Sequence, residues 1–340
     1  MQEPFDSHRG TFVPAVERLW EQTEIGPAGL DKAELDALLE KAIELYQIRS
    51  YDKSLKYFTR VLRSFRALED AQGEARALSG MGLTYYALGN YGEAIAASHE
   101  ALAIARQTLD RRTERQALGN LGNAYRHLNN LPKAIEYKQQ SLDVAREIGD
   151  RRGEMAALNN LGMAYKALGD CPTAIAYYEE SLALARELED PQVESQVLRN
   201  LGNAHHALAN YGQTIHCYEQ LLAIAQHLED QPLEMQILKN LASACYTLGD
   251  NDRAVIYQHQ RLELAYQLRD HRNAAQALES LGVIYETLGD FQRALDCYEQ
   301  RLSVARAIPD SHLEQQAIDS LKTVCYSLGD YARANQYDQA

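Results

Sequence analysis

Few of the residues that staple or break a chain are present: 340 residues hold five cysteines, eight prolines and one tryptophan. The cysteines are odd in number and form no Cys-x-x-Cys pair, which excludes a disulfide framework and the common zinc spacings. Reduced thiols in a cytoplasmic protein are the expectation. Scarce proline excludes a Pro-rich linker or a collagen-like repeat. No apolar run approaches the roughly 18 residues of a membrane span. The opening Met-Gln-Glu-Pro-Phe-Asp has neither the basic nor the apolar segment of a signal peptide. Basic residues are outnumbered, 34 against 48, so the net charge is −14. A nucleic-acid partner is therefore not expected, because the phosphate backbone demands a basic surface. The phosphate-binding loop Gly-x-x-x-x-Gly-Lys, the metal motif His-Glu-x-x-His and the nucleophile elbow Gly-x-Ser-x-Gly are all missing. His205 and His206 are adjacent, and neighbours on a helix do not share a face. No metal, cofactor or catalytic residue is expected, and the chain reads as non-enzymatic.

What the chain does have is a period of forty residues. Leucine recurs at 88, 128, 168, 208, 248, 288 and 328, and aspartate at 70, 110, 150, 190, 230, 270 and 310. Ten of the twenty glycines fall at two phases, represented by Gly162 and Gly169. Self-similarity at this spacing signals a solenoid, in which each unit buries its apolar face only against its neighbours.

Each unit reads as two helices. The aspartates are placed to cap the first helix, and Asp190 stands directly before Pro191, a residue suited to the first helical position. Glutamates at 74, 114, 154, 194, 234 and 314 follow in the first turn, where the helix dipole favours them. Leu158, Leu161, Tyr165 and Leu168 then recur at helical spacing, and Gly169 supplies a left-handed stop. The mid-helix Gly162 predicts close approach of a neighbouring helix, with the small Ala174 facing it. Cys217, Cys245, Cys297, Cys325 and the in-phase tyrosines, among them Tyr178, Tyr218 and Tyr298, read as core.

The segments Leu161-Gly162-Met163-Ala164-Tyr165 and Ala174-Ile175-Ala176-Tyr177-Tyr178 resemble the tetratricopeptide repeat. That repeat usually runs about 34 residues; a forty-residue unit resembles the longer variety of Pins/LGN-type scaffolds and kinesin light chains. The resemblance implies an all-α fold, an α-solenoid winding as a right-handed superhelix. Residues 31–340 would form one array, its repeats starting near 31, 71, 111, 151, 191, 231 and 271, with a shortened repeat at 311–340. Residues 1–30 read as an N-terminal cap, or as a segment that docks on a partner through Val16, Leu19 and Trp20. Asn335, where other units carry an aliphatic residue, reads as part of a polar terminal cap.

Asn120, Asn160, Asn200 and Asn240 recur in phase and are too polar for packing. The resemblance implies that this position faces a concave groove, where an asparagine grips the backbone of a bound peptide. A side-chain amide offers the donor and the acceptor that a peptide unit needs. Asn123 and Arg126 accompany Asn120; Asn159 and Lys166 accompany Asn160; Arg199, Asn203 and His206 accompany Asn200; Lys239 and Tyr246 accompany Asn240. The expected partner is another protein, bound through an extended acidic segment of about ten residues. Glu279, Glu286 and Asp319 reverse the sign of this face near the end. The carboxylate clamp of chaperone co-factors is disfavoured, since Gln276 and Ser280 stand where its basic pair belongs. Two other readings stay open. One is a peptide-sensing regulator resembling the Rap proteins, against which stand the mere thirty residues before the repeats. The other is a self-assembling structural array.

Overall fold

The computed structural model describes residues 31–308 and 311–337, in which sixteen α-helices and no strand are found. The expectations for residues 1–30 and for Asp310 lie outside the described residues. The chain divides between Ile148 and Gly149 into two compact units.

The first unit contains α1 (Lys32–Gln47), α2 (Tyr51–Ala67), α3 (Ala71–Ala87), α4 (Tyr91–Gln107), α5 (Arg111–His127) and α6 (Leu131–Glu147). The second contains α7 (Arg151–Leu168), α8 (Cys171–Glu187), α9 (Pro191–Ala207), α10 (Tyr211–His227) and α11 (Gln231–Leu248). It continues through α12 (Asn251–Gln267), α13 (His271–Thr287), α14 (Phe291–Arg306), α15 (Ser311–Leu328) and the short α16 (Tyr331–Gln336).

The caps follow the sequence phase. Asp70, Asp110, Asp150, Asp190, Asp230 and Asp270 each accept a hydrogen bond from the backbone N–H three residues on. This satisfies one of the donors that a helix start leaves unpaired. At the turn between paired helices, Gly169 and Gly249 close their helices with φ of 91° and 85°. The same left-handed position holds Asn129 and Ala209, both with φ of 57°.

Leu35, Leu39, Phe58, Phe65, Leu118 and Leu121 form the buried core of the first unit. Leu198, Leu201, Leu238, Leu241, Leu278 and Leu321 run through that of the second. Gly162 does permit a close approach, but the group that fills it is the ring of Tyr178 on α8 rather than Ala174. A Cβ at Gly162 would lie 2.5 Å from Tyr178 Cε1, and Gly202 and Gly282 meet Tyr218 and Tyr298 in the same way. The first-turn glutamates gain partners that the sequence reading did not assign. The Arg106 Nε–Glu114 Oε1 distance is 2.9 Å and the Arg186 Nε–Glu194 Oε1 distance 2.8 Å, each joining the end of one repeat to the start of the next.

Candidate functional site: the exposed face of the first helices

The candidate residues recur in phase on the first helices of the repeats, and helical spacing fixes which of them share a face. Residues three, four and seven apart share a face, so Asn120, Asn123 and Arg126 line up on α5. Asn159 and Lys166 do so on α7, Asn200, Asn203 and His206 on α9, and Lys239 and Tyr246 on α11, with Asn160, Arg199 and Asn240 each next in sequence to a member of these rows. The two units present this face separately.

The asparagines are not equivalent. In the first unit Asn120 is only 8% exposed, and its Nδ2 donates to the Ser79 carbonyl of the preceding first helix at 3.0 Å. In the second unit Asn200 donates to Asn159 Oδ1 at 3.0 Å. Asn159 lies beneath the surface, 6% exposed, and serves as a strut between α7 and α9. Asn240 accepts from Gln236 Nε2 on its own helix at 3.0 Å. The Asn160 amide, half-buried, makes no hydrogen bond among the described residues. Asn120 and Asn200 thus commit a donor to the neighbouring repeat and keep a carbonyl oxygen, whereas Asn160 keeps both functions.

The basic residues on this face share one property. Arg126, Lys166, Arg199 and Lys239 have no carboxylate partner among the described residues, although the chain carries an acidic excess. Lys166 is half-buried, and burial lowers its pKa from the usual lysine range. Arg199 and Lys239 are exposed. His206 is exposed with its ring edge-on to Tyr211 at 5.5 Å, and Tyr246 shares a hydrogen bond with Thr287 of α13 at 3.0 Å. Asn203 accepts from the Tyr218 hydroxyl at 2.7 Å.

The second helices contribute groups that the sequence reading missed. Lys138 of α6, Arg261 of α12 and Arg301 of α14 are each 1% exposed, and each extends its cationic end to a first helix. Lys138 Nζ donates to Asn123 Oδ1 and, at 3.4 Å, to the Gly119 carbonyl. Arg261 donates to Asn273 Oδ1 at 2.7 Å and Gln276 Oε1 at 2.9 Å. Arg301 lies 3.2 Å from Glu279 Oε2. A signal existed: Lys138 stands at the phase of Tyr178, Tyr218 and Tyr298, while Arg261 and Arg301 stand at the phase of Ser141 and Ser181.

One of these cations, Arg301, bears on the acidic positions near the end. Glu279 is paired with Arg301, and Glu286 accepts from the Tyr298 hydroxyl at 2.6 Å. Asp319 is exposed and accepts from Gln315 at 3.0 Å. Arg301 therefore offsets the charge of Glu279, whereas Glu286, bonded to a neutral hydroxyl, and Asp319 keep theirs.

The thiols offer no nucleophile, for all five cysteines are buried and burial pushes Cys217, Cys245 and Cys297 up to about 11. Among the described residues no group of three or more His, Cys, Asp or Glu is placed to hold a metal ion, and no helix is long and apolar enough to cross a membrane.

No curated protein matches the sequence. Among solved structures, the chain is similar to a signal transduction ATPase with numerous domains, bearing a tetratricopeptide repeat sensor, from Pyrococcus horikoshii. The two share 20% identity with a TM-score of 0.63 over 91% of this chain, which spans 46% of that protein. The apo form of RapI is similar at 12% identity and a TM-score of 0.57, covering 80% of this chain and 98% of RapI. A kinesin light chain-like repeat protein from Podosopora anserina is similar at 17% identity and a TM-score of 0.50, over 59% of this chain and 100% of its own. At such identities the likeness shows the fold alone. Tetratricopeptide repeat family patterns match residues 34–107, 113–187, 194–267 and 277–310. These matches span most of the chain, which belongs to the tetratricopeptide repeat family.

Proposed function

We propose that the chain is a non-enzymatic interaction scaffold whose first-helix faces bind an extended, acidic segment of another protein. One observation carries the reading: among the described residues Arg126, Lys166, Arg199 and Lys239 lack carboxylate partners, while the arginines between repeats, such as Arg106 and Arg186, have them. Unpaired basic groups beside asparagine amides suit a peptide bearing carboxylates, because the amides meet its backbone and the cations its side chains. The residues assigned this role are Asn120, Asn123 and Arg126 in the first unit. In the second unit they are Asn159, Asn160, Lys166, Arg199, Asn200, Asn203, His206, Lys239, Asn240 and Tyr246. Asn159 acts there by holding Asn200.

The test is comparative capture from native lysate with wild type and a variant replacing Asn120, Asn160, Asn200 and Asn240 by alanine. The reading expects a protein retained by wild type and lost by the variant, both being equally helical by circular dichroism. It also expects the interacting segment to be acidic. Equal capture by both proteins would contradict it.

A further inference from the structure

We infer that Lys138, Asn123 and Arg126 form a carboxylate-binding subsite on the first unit, which takes an Asp or Glu side chain of the bound segment. The inference rests on the peptide-binding reading and adds a residue from a second helix to it.

The first observation is where Lys138 lies. Its stem covers Gly122, where a Cβ would sit 2.5 Å from Lys138 Cγ. Its ammonium reaches Asn123 Oδ1 and the Gly119 carbonyl, two neutral acceptors for three N–H donors. One donor remains, on a side chain 1% exposed. No carboxylate pairs with it among the described residues, and the nearby Arg126 charge has the same sign. A buried cation is ordinarily paired, since an isolated charge in a low dielectric is costly.

The second observation concerns Arg126, one turn from Asn123. Its Nε is buried and lacks a hydrogen-bond acceptor. Its Nη2 meets His127 Nε2 at 3.4 Å, and its side chain also meets the Tyr86 hydroxyl, both neutral partners. The His127 ring is stacked on Tyr91, with centroids 5.0 Å apart, and its pKa is lowered by burial and by Arg126. Neither Lys138, Arg126 nor His127 has a carboxylate partner among the described residues.

The third observation is the direction of the Asn123 amide. The charged Lys138 ammonium has no acceptor, so Oδ1 is the atom turned toward it, which leaves the Nδ2 donors free. Lys138, Asn123 and Arg126 therefore present donors only, and a donor-only cluster fits an anionic acceptor. One turn earlier Asn120 has given its donor to Ser79 and keeps Oδ1, an acceptor for a peptide N–H. Acceptor for backbone beside donors for side chain is the pattern a peptide acid would use.

The test uses the full chain with 13C-labelled lysine and, as probe, a hexaglutamate peptide with blocked ends; hexaglutamine is the control. The lysine signal lost in Lys138→Tyr reports Lys138. That variant places at 138 the ring that Tyr178 and Tyr218 use at the same phase, so it is expected to fold. Hexaglutamate should raise the titration midpoint of that lysine above its free value of about 7, because a bound anion favours the charged amine. Lys138→Tyr and Arg126→Gln should each weaken hexaglutamate binding by at least about fivefold. An unmoved midpoint, equal binding of hexaglutamine, or a Lys138→Tyr variant that binds like wild type would overturn the subsite. So would a probe of phosphoserines that binds where hexaglutamate does not. If Lys138→Tyr leaves the captured partner segment bound while the asparagine variants release it, the subsite alone fails. If neither set affects binding, the peptide-binding reading fails as well.

Discussion

Single residues in this protein are set by what their phase demands, and departures from phase carry the information. Gly162 is small because Tyr178 occupies the space above it. Gly162→Leu should overpack that contact and cost about 1–3 kcal/mol of stability; an unchanged melting temperature would remove the close packing from the account. Lys138 takes the tyrosine position and burial lowers its pKa to about 7, far below the usual lysine value. Its folded pKa lies below its unfolded one, so the unfolded chain binds more protons between about pH 7 and pH 10.4. Stability linked to Lys138 is then present above the unfolded pKa and lost as pH falls through about 7. Lys138→Tyr should therefore gain most over wild type below about pH 7 and progressively less toward pH 10, measured as the difference in melting temperature across pH. A difference constant over that range would contradict a buried titrating lysine.

At the scale of elements, the period of forty residues already specified the paired helices and their caps. It did so because an aspartate before a first turn has one use there, accepting an N–H, and Asp190 does this for Val193 at 3.1 Å. Asp190→Ala should cost about 1 kcal/mol in thermal or urea unfolding, and no loss would mean the cap is dispensable. The ion pairs between repeats were not legible, since Arg106 and Glu114 carry ordinary surface letters and only packing brings them to 2.9 Å. Because Glu114 is buried between Arg106 and Arg111, Glu114→Ala should cost about 1–2 kcal/mol. Arg106→Ala should cost less, its side chain being half-exposed. The reverse order would show that the arginine's packing, not the glutamate's burial, matters at this junction.

Across the molecule, the candidate face was legible as a phase but not as a set of contacts. The sequence places Asn120, Asn160, Asn200 and Asn240 on equivalent turns, yet cannot tell that Asn120 and Asn200 lend a donor to the preceding repeat while Asn160 does not. Nor does it show Asn159 sinking beneath Asn200, because adjacent positions on a helix straddle the boundary between face and core. The cations arriving from second helices were hidden by distance along the chain: Lys138 reaches Asn123 and Arg301 reaches Glu279 only once the helices pair. What persists is a face of amides and unpaired basic groups in a chain of net charge −14.

That face is tested most directly by isothermal titration of the captured partner's acidic segment against wild type, an Asn160→Ala/Asn200→Ala double variant and His216→Ala on the second helix α10. The account predicts that the double variant weakens binding by about 1–3 kcal/mol for each lost amide pair, and that His216→Ala has no effect. It also predicts that affinity falls as salt rises from about 0.1 to about 0.5 M. A double variant that binds like wild type while His216→Ala does not would contradict it.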